Sequence, residues 1–187
     1  MKLTPRLEKA IRVATIAHRN QKRKGSDTPY IAHPYSVMCL ASEDTKDEDI
    51  LIACLFHDII EDVPDEYPRS KMLDEFGKRV VSIVDGVTKD STIKDWQGRA
   101  DAYLYHLEHK ASDESILVSC ADKIHNLMTI LEDYRTLGNE LWSRFNAGKK
   151  QLLWWYESVL RVTSKRMPSL SLNKRLSELV KEFQDLA

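Results

Sequence analysis

Apolar positions recur at helical spacing along this chain, and no segment alternates apolar and polar residues long enough to predict a strand. Thr4 followed by Pro5 reads as an N-cap with a first-turn proline. Leu7, Ile11, Ala14, Ile16 and Ala17 then give one apolar face out to about Gln21. Residues 22–32 read as a polar loop carrying Gly25, Asp27 and Pro29. His33-Pro34 starts a second helix, to about Ser42. Asp47, Glu48 and Asp49 suit the first turn of a third, which runs apolar through Ile50–Ile60. Beyond a loop bracketed by Pro64 and Pro68, helices are expected at about 69–76, 78–88, 95–110 and 114–132, the last capped by Asp113. A short helix at 139–146, a longer one at 149–166 ended by Pro168, and an amphipathic tail from Ser171 to Leu186 complete the pattern. The expected fold is all-α, a single-domain bundle of nine or ten helices over residues 1–187. Trp154, Trp155 and Tyr156 are expected in its core.

Length and composition add limits to this picture. A chain of 187 residues can bury one continuous core. Its net charge of −1 provides no global field for nucleic acid, so an anionic ligand needs a local cluster, and Arg19, Lys22, Arg23 and Lys24 supply one. No apolar run approaches the roughly 18–20 residues of a membrane span, and the N-terminal residues contain no signal-peptide core. A cytoplasmic location is the expectation. Cys39, Cys54 and Cys120 each sit among apolar neighbours and read as buried free thiols. Composition gives no oligomeric state.

The third predicted helix also carries the chemistry. After a segment apolar on all sides it presents His57, Asp58, Glu61 and Asp62, with His57/Glu61 and Asp58/Asp62 each four apart and expected to share a face. Such groups near the end of a buried helix are costly unless a cation pairs with them. The helix at 114–132 repeats the oddity: Ser115–Ala121 is followed by Asp122, Lys123, His125 and Asn126. His33 lies between the basic loop and Pro34. Two imidazoles and two carboxylates, His33, His57, Asp58 and Asp122, suit one divalent ion with water in its remaining positions: manganese or a magnesium-like ion, with iron and zinc also open. A set without cysteine argues against structural zinc. His18, His106, His109 and His125 read as structural or exposed.

These residues resemble a known family. His18-x-x-Gln21-x-Arg23-Lys24, Pro29-Tyr30-Ile31-Ala32-His33-Pro34, Leu55-Phe56-His57-Asp58-Ile59-Ile60-Glu61-Asp62, Phe76-Gly77, Val84-Asp85-Gly86-Val87-Thr88-Lys89 and Ala121-Asp122-Lys123-Ile124-His125-Asn126 occur in order within about 5–132. The set resembles the HD-superfamily hydrolase domain of the Rel/Spo alarmone enzymes, above all their stand-alone small forms. The resemblance implies an HD-type helical domain, with a motif core at about 5–132 and C-terminal helices at 139–187. It implies hydrolysis of the 3′-pyrophosphate of guanosine tetra- and pentaphosphate, with manganese on His33, His57, Asp58 and Asp122. By the same match Glu61 and Asp62 activate and position water, and Arg23, Lys24, Arg99, Asn126 and Thr129 face the nucleotide. Arg144 is a further candidate, and Cys120 and Lys123 depart from the leucine and arginine of many members. The alternatives are another phosphorylated nucleotide, such as the NADPH 2′-phosphate or an adenosine alarmone, and a non-hydrolysing nucleotide-binding or antitoxin module.

Overall fold

The computed structural model describes residues 2–186; Met1 and Ala187, at the two limits of the expected domain, lie outside the described residues. The helices are α1 (Pro5–Ala17), α2 (Ala32–Asp44), α3 (Glu48–Phe56), α4 (Ile59–Asp62), α5 (Arg69–Phe76), α6 (Lys78–Asp85), α7 (Trp96–His109), α8 (Asp113–Leu137), α9 (Lys149–Arg166) and α10 (Leu172–Gln184), with a 3₁₀ segment at Gly138–Arg144. Among the described residues there is no strand; Lys22 and Pro29 pair as one isolated antiparallel bridge. The all-α expectation holds.

Local chemistry sets the ends of these helices. The Thr4 hydroxyl accepts from the Leu7 amide and caps α1. Asp47 caps α3 from just outside it, accepting from the Asp49 amide. Ser112, not Asp113, caps α8, leaving Asp113 and Glu114 in the first turn where the helix dipole favours them. α8 runs past the expected end at 132 because nothing breaks it before Gly138, whose φ of 54° few other residues accept.

The core forms where apolar stripes meet. α6 turns Val80, Val81, Ile83 and Val84 inward, and α10 turns Leu172, Leu176, Val180 and Phe183 inward at three- and four-residue intervals. α3 has no solvent face: every residue from Ile50 to Phe56 is buried. α8 packs on α2, α3, α9 and α10, so it joins the N-terminal helices to the C-terminal ones. Trp155 and Tyr156 are core residues as expected, with Trp154 only partly buried. Cys54 and Cys120 are buried free thiols, but Cys39 is exposed, since it lies on the outer side of α2. No helix among the described residues is long and apolar enough to cross a membrane.

Candidate metal centre and its two cavities

α3 ends at Phe56 because of a side chain. His57 Nδ1 donates to the Cys54 carbonyl oxygen at 2.8 Å, an acceptor that a continuing helix would offer to residue 58. The chain restarts as the single turn α4, with the Asp62 amide donating to the Asp58 carbonyl at 2.8 Å. His57 and Asp58 therefore precede α4, with Asp58 at its N-cap one turn before Asp62, and burial followed by the Asp58 charge pushes the Asp62 carboxyl up. Glu61 accepts from the Lys89 amide at 3.2 Å and lies 3.4 Å from its Nζ, while Asp62 accepts from Gln21 Nε2 at 2.8 Å.

Four side chains from three helical regions converge. His33 Nε2 lies 3.2 Å from His57 Nε2, 3.5 Å from Asp58 Oδ2 and 3.1 Å from Asp122 Oδ1. His57 Nε2 lies 2.9 Å from Asp58 Oδ2 and 3.8 Å from Asp122 Oδ1. Adjacent donors held about 2.1 Å from an octahedral ion are about 3 Å apart, so these spacings fit a small divalent cation. His33, His57 and Asp58 form a metal-capable group on geometry alone, and Asp122 adjoins it through the two imidazoles.

The electrostatics also call for a cation. Burial works against a charge on His57, yet Asp58 and Asp122 outweigh it and push its pKa up to about 10. Burial likewise opposes the charges of Asp58 and Asp122. The imidazoles of His57 and His33 overcome it at Asp58, and Lys123 with the same imidazoles overcomes it at Asp122, holding both well below the usual carboxylate range. The extra proton on His57 thus does what a metal ion would do. With His57 Nδ1 committed to a backbone carbonyl, its Nε2 lone pair is free for an ion once that proton leaves, the arrangement in which metal-binding histidines are normally held.

Several residues that sequence reasoning passed over hold these four side chains in place. His125 Nδ1 stands 2.7 Å from His33 Nδ1. Tyr30 donates its hydroxyl to Asp58 Oδ2 at 2.6 Å. Buried Lys123 pairs with Asp122 Oδ2 and lies over the rings of Tyr103 and Trp155. Tyr30, Lys89, Lys123 and His125 all fall inside sequence blocks that match the resemblance, but the partners of Tyr30, Lys89 and His125 are distant in sequence and no local spacing reveals them.

Two cavities flank the cluster and share Phe145 and Tyr156 in their walls. One, of about 380 Å³, is lined by Arg23, Lys24, Tyr30, His33, Asn126 and Thr129 among others. The basic loop reaches it as a closed turn: the Arg23 amide donates to the Thr28 carbonyl at 2.9 Å, and the Tyr30 amide to the Gln21 carbonyl at 2.9 Å. Arg23 Nη2 donates to Asn126 Oδ1 at 3.0 Å and Thr129 Oγ1 at 3.2 Å, and Asn126 Nδ2 donates to Asp122 Oδ1 at 2.5 Å. The other cavity, of about 330 Å³, is lined by Glu61, Lys89, Trp96, Arg99, Trp155 and others. The residues matched to nucleotide contacts are thus divided, with Arg99 on Glu61's side and the remainder on His33's. Arg144 pairs with Asp133 at 3.2 Å and packs on Gly25, outside both linings.

The helical fold and the His/Asp cluster define a metal-binding protein of the HD class. Residues 10–151 match the HD domain family, and the chain belongs to that family. It is 36% identical over 129 residues to the bifunctional (p)ppGpp synthase/hydrolase SpoT of Escherichia coli K12, covering 67% of this chain and 18% of that protein. It is 35% identical over 125 residues to the guanosine-3′,5′-bis(diphosphate) 3′-pyrophosphohydrolase of Aquifex aeolicus, covering 66% and 18%. The chain thus spans about a fifth of the length of these curated relatives. A metazoan SpoT ortholog described as hydrolysing ppGpp shares the fold over 100% of this chain and 99% of that one, with a TM-score of 0.81 and 24% identity.

Proposed function

We propose that this chain hydrolyses the 3′-pyrophosphate of guanosine tetra- and pentaphosphate, giving GDP or GTP and pyrophosphate, with manganese as its metal. The observation that carries this reading is the His33–His57–Asp58–Asp122 cluster, buried but for a half-buried Asp58, between two cavities, each with cationic side chains in its wall. The printed activities of the Escherichia coli and Aquifex relatives support the choice of substrate. We take residues 1–187 as one HD-type unit, with its motif core at about 5–132 and the helices of 139–187 closing it. The packing of α8 on both halves supports that.

In this reading His33, His57, Asp58 and Asp122 hold the ion. A divalent cation there supplies positive charge that acidifies water and draws charge from the phosphoryl oxygens. Glu61 takes a proton from the attacking water, a role that suits a carboxylate at a cavity wall whose oxygens face the Lys89 amide and ammonium. Asp62, held by Gln21, positions that water. Water oxygen bonds to the phosphorus next to the ribose, the P–O3′ bond breaks, and the ribose oxygen takes up a proton. Arg23 and Lys24 hold the nucleotide on one side, with Asn126 and Thr129 fixing the Arg23 guanidinium. Arg99 and Lys89 meet phosphate charge on the other, where fixed cations stabilise the charge that develops.

The partner is a small nucleotide and not nucleic acid, consistent with the net charge of −1. Free thiols at Cys54 and Cys120 support a reducing cytoplasmic setting. The test is phosphate and pyrophosphate release from guanosine tetraphosphate, its adenosine counterpart and NADPH, with and without manganese. Manganese-dependent pyrophosphate from the guanosine compound is the expected result. Orthophosphate from NADPH would keep the site and change the substrate. No release from any of the three, with metal bound, would overturn the hydrolase reading.

A further inference from the structure

A chain of hydrogen bonds reaches Asp62 from a residue that has no part in the chemistry above. His18, at the C-terminal end of α1, is only 1% exposed. Its Nδ1 stands 2.6 Å from Gln21 Oε1, and Gln21 Nε2 donates to Asp62 Oδ2 at 2.8 Å. Gln21 has little freedom to leave this position. Its amide donates to the His18 carbonyl at 3.0 Å, and its carbonyl accepts from the Tyr30 amide at 2.9 Å. The chain therefore ties the end of α1 to the single turn α4, the segment that breaks away from α3 just after the metal ligands.

The direction of the chain follows from donor and acceptor chemistry. An ionised carboxylate only accepts, so Gln21 must present its NH₂ to Asp62 and its carbonyl oxygen to His18. That oxygen needs a donor, so His18 must carry its proton on Nδ1. Burial holds the His18 pKa below its ordinary value, which keeps the ring neutral. A neutral ring with its proton on Nδ1 has a bare Nε2, and Nε2 is the ring atom that finds no partner among the described residues. The opposite tautomer would turn the amide over and set the Gln21 oxygen against the Asp62 carboxylate, two acceptors facing each other.

We infer that His18 and Gln21 are positioning residues for Asp62: the His18 tautomer fixes which way the Gln21 amide points, and that amide fixes the orientation of the Asp62 carboxylate. The inference rests on the hydrolase reading for Asp62's role, but the hydrogen-bond chain itself can be tested without turnover.

Two measurements test it. Long-range proton–nitrogen NMR of the imidazoles, on protein loaded with diamagnetic magnesium, should find His18 protonated on Nδ1 and bare on Nε2. A His18 protonated on Nε2 overturns the inference whatever the enzyme does. In manganese-dependent assays, Gln21→Ala should lower kcat about tenfold or more with KM within about twofold, the scale at which outer-shell partners act. Gln21→Ala added to Asp62→Asn should cost nothing further, because both act through one carboxylate. His18→Asn, whose side-chain NH₂ stands in for Nδ1–H, should retain most of the kcat that His18→Ala loses. Additive losses, an unchanged kcat in Gln21→Ala, or equal loss in the two His18 variants would each reduce the chain to a structural tie and overturn the inference. A wild-type protein that hydrolyses none of the nucleotides sinks the hydrolase reading instead, and with it the positioning role.

Discussion

His33 and His125 face each other through their Nδ1 atoms, 2.7 Å apart. At that distance one nitrogen carries a proton and the other accepts it. Burial first, then the neighbouring His33, lowers the His125 pKa to about 4, so His125 is neutral. For His33 Nε2 to serve a metal ion, His33 must be the donor and His125 the acceptor. In that reading His125 sets the tautomer and ring orientation of His33. His125→Ala should weaken metal binding about 10–100-fold, the usual penalty for removing such a partner, with the fold intact by circular dichroism. Chelator competition measures the affinity, and an unchanged value would leave His125 as packing alone.

The outcome at His125 illustrates what the sequence makes legible. α6 and α10 are readable because apolar spacing directly reports which face is buried. The convergence of residues 33, 57, 58 and 122 is readable because buried carboxylates and imidazoles need a counter-charge wherever they lie. The break between α3 and α4 is not readable: it turns on one bond from His57 to the Cys54 carbonyl, in a stretch whose side chains otherwise favour continuing the helix. The contacts of Glu61 with Lys89 and of Asp62 with Gln21 are not readable either, because each joins residues far apart in sequence. Cys39 misleads for a simpler reason, since apolar sequence neighbours on a helix do not share its face.

Glu61 lines the cavity with Arg99 but lies outside the four-donor cluster, so the proposed proton transfer can be tested apart from metal binding. Glu61→Gln keeps the size of the side chain and its carbonyl acceptor but removes the base. Turnover of guanosine tetraphosphate should fall about 100-fold or more, with manganese affinity unchanged. Single-turnover kinetics beside a binding titration make the comparison, and near-normal turnover would remove Glu61 from the mechanism.

Gly86 marks a close approach of α6 to α8. A Cβ there would collide with Ser115 Oγ and lie 2.8 Å from Ser115 Cβ. Ser115 cannot easily yield, because it is fully buried and its hydroxyl donates to the Ile83 carbonyl at 3.0 Å. Gly86→Ala should destabilise the fold by about 1–3 kcal/mol through overpacking. For a chain of this size that is a Tm drop of about 2–4 °C per kcal/mol, read by thermal denaturation. A Tm equal to wild type would mean that the two helices part without cost.

Asp122 answers to two cations at once, so its removal has two separable effects. Oδ1 faces the imidazoles of the metal cluster, while Oδ2 pairs with buried Lys123. Asp122→Ala should abolish metal-dependent turnover. It also leaves the Lys123 ammonium buried with only the rings of Tyr103 and Trp155 for company, at a cost of about 3 kcal/mol or more. Adding Lys123→Met removes the stranded charge and should recover most of the lost stability without restoring activity. Metal dependence of the melting temperature distinguishes the two effects. Wild type should gain about 2.7 kcal/mol when free manganese exceeds its Kd a hundredfold, and lose it on chelation. The double variant should melt at one temperature with or without the ion. A double variant still stabilised by manganese would show that the remaining three donors suffice to hold the metal, and would remove Asp122 from the ligand set.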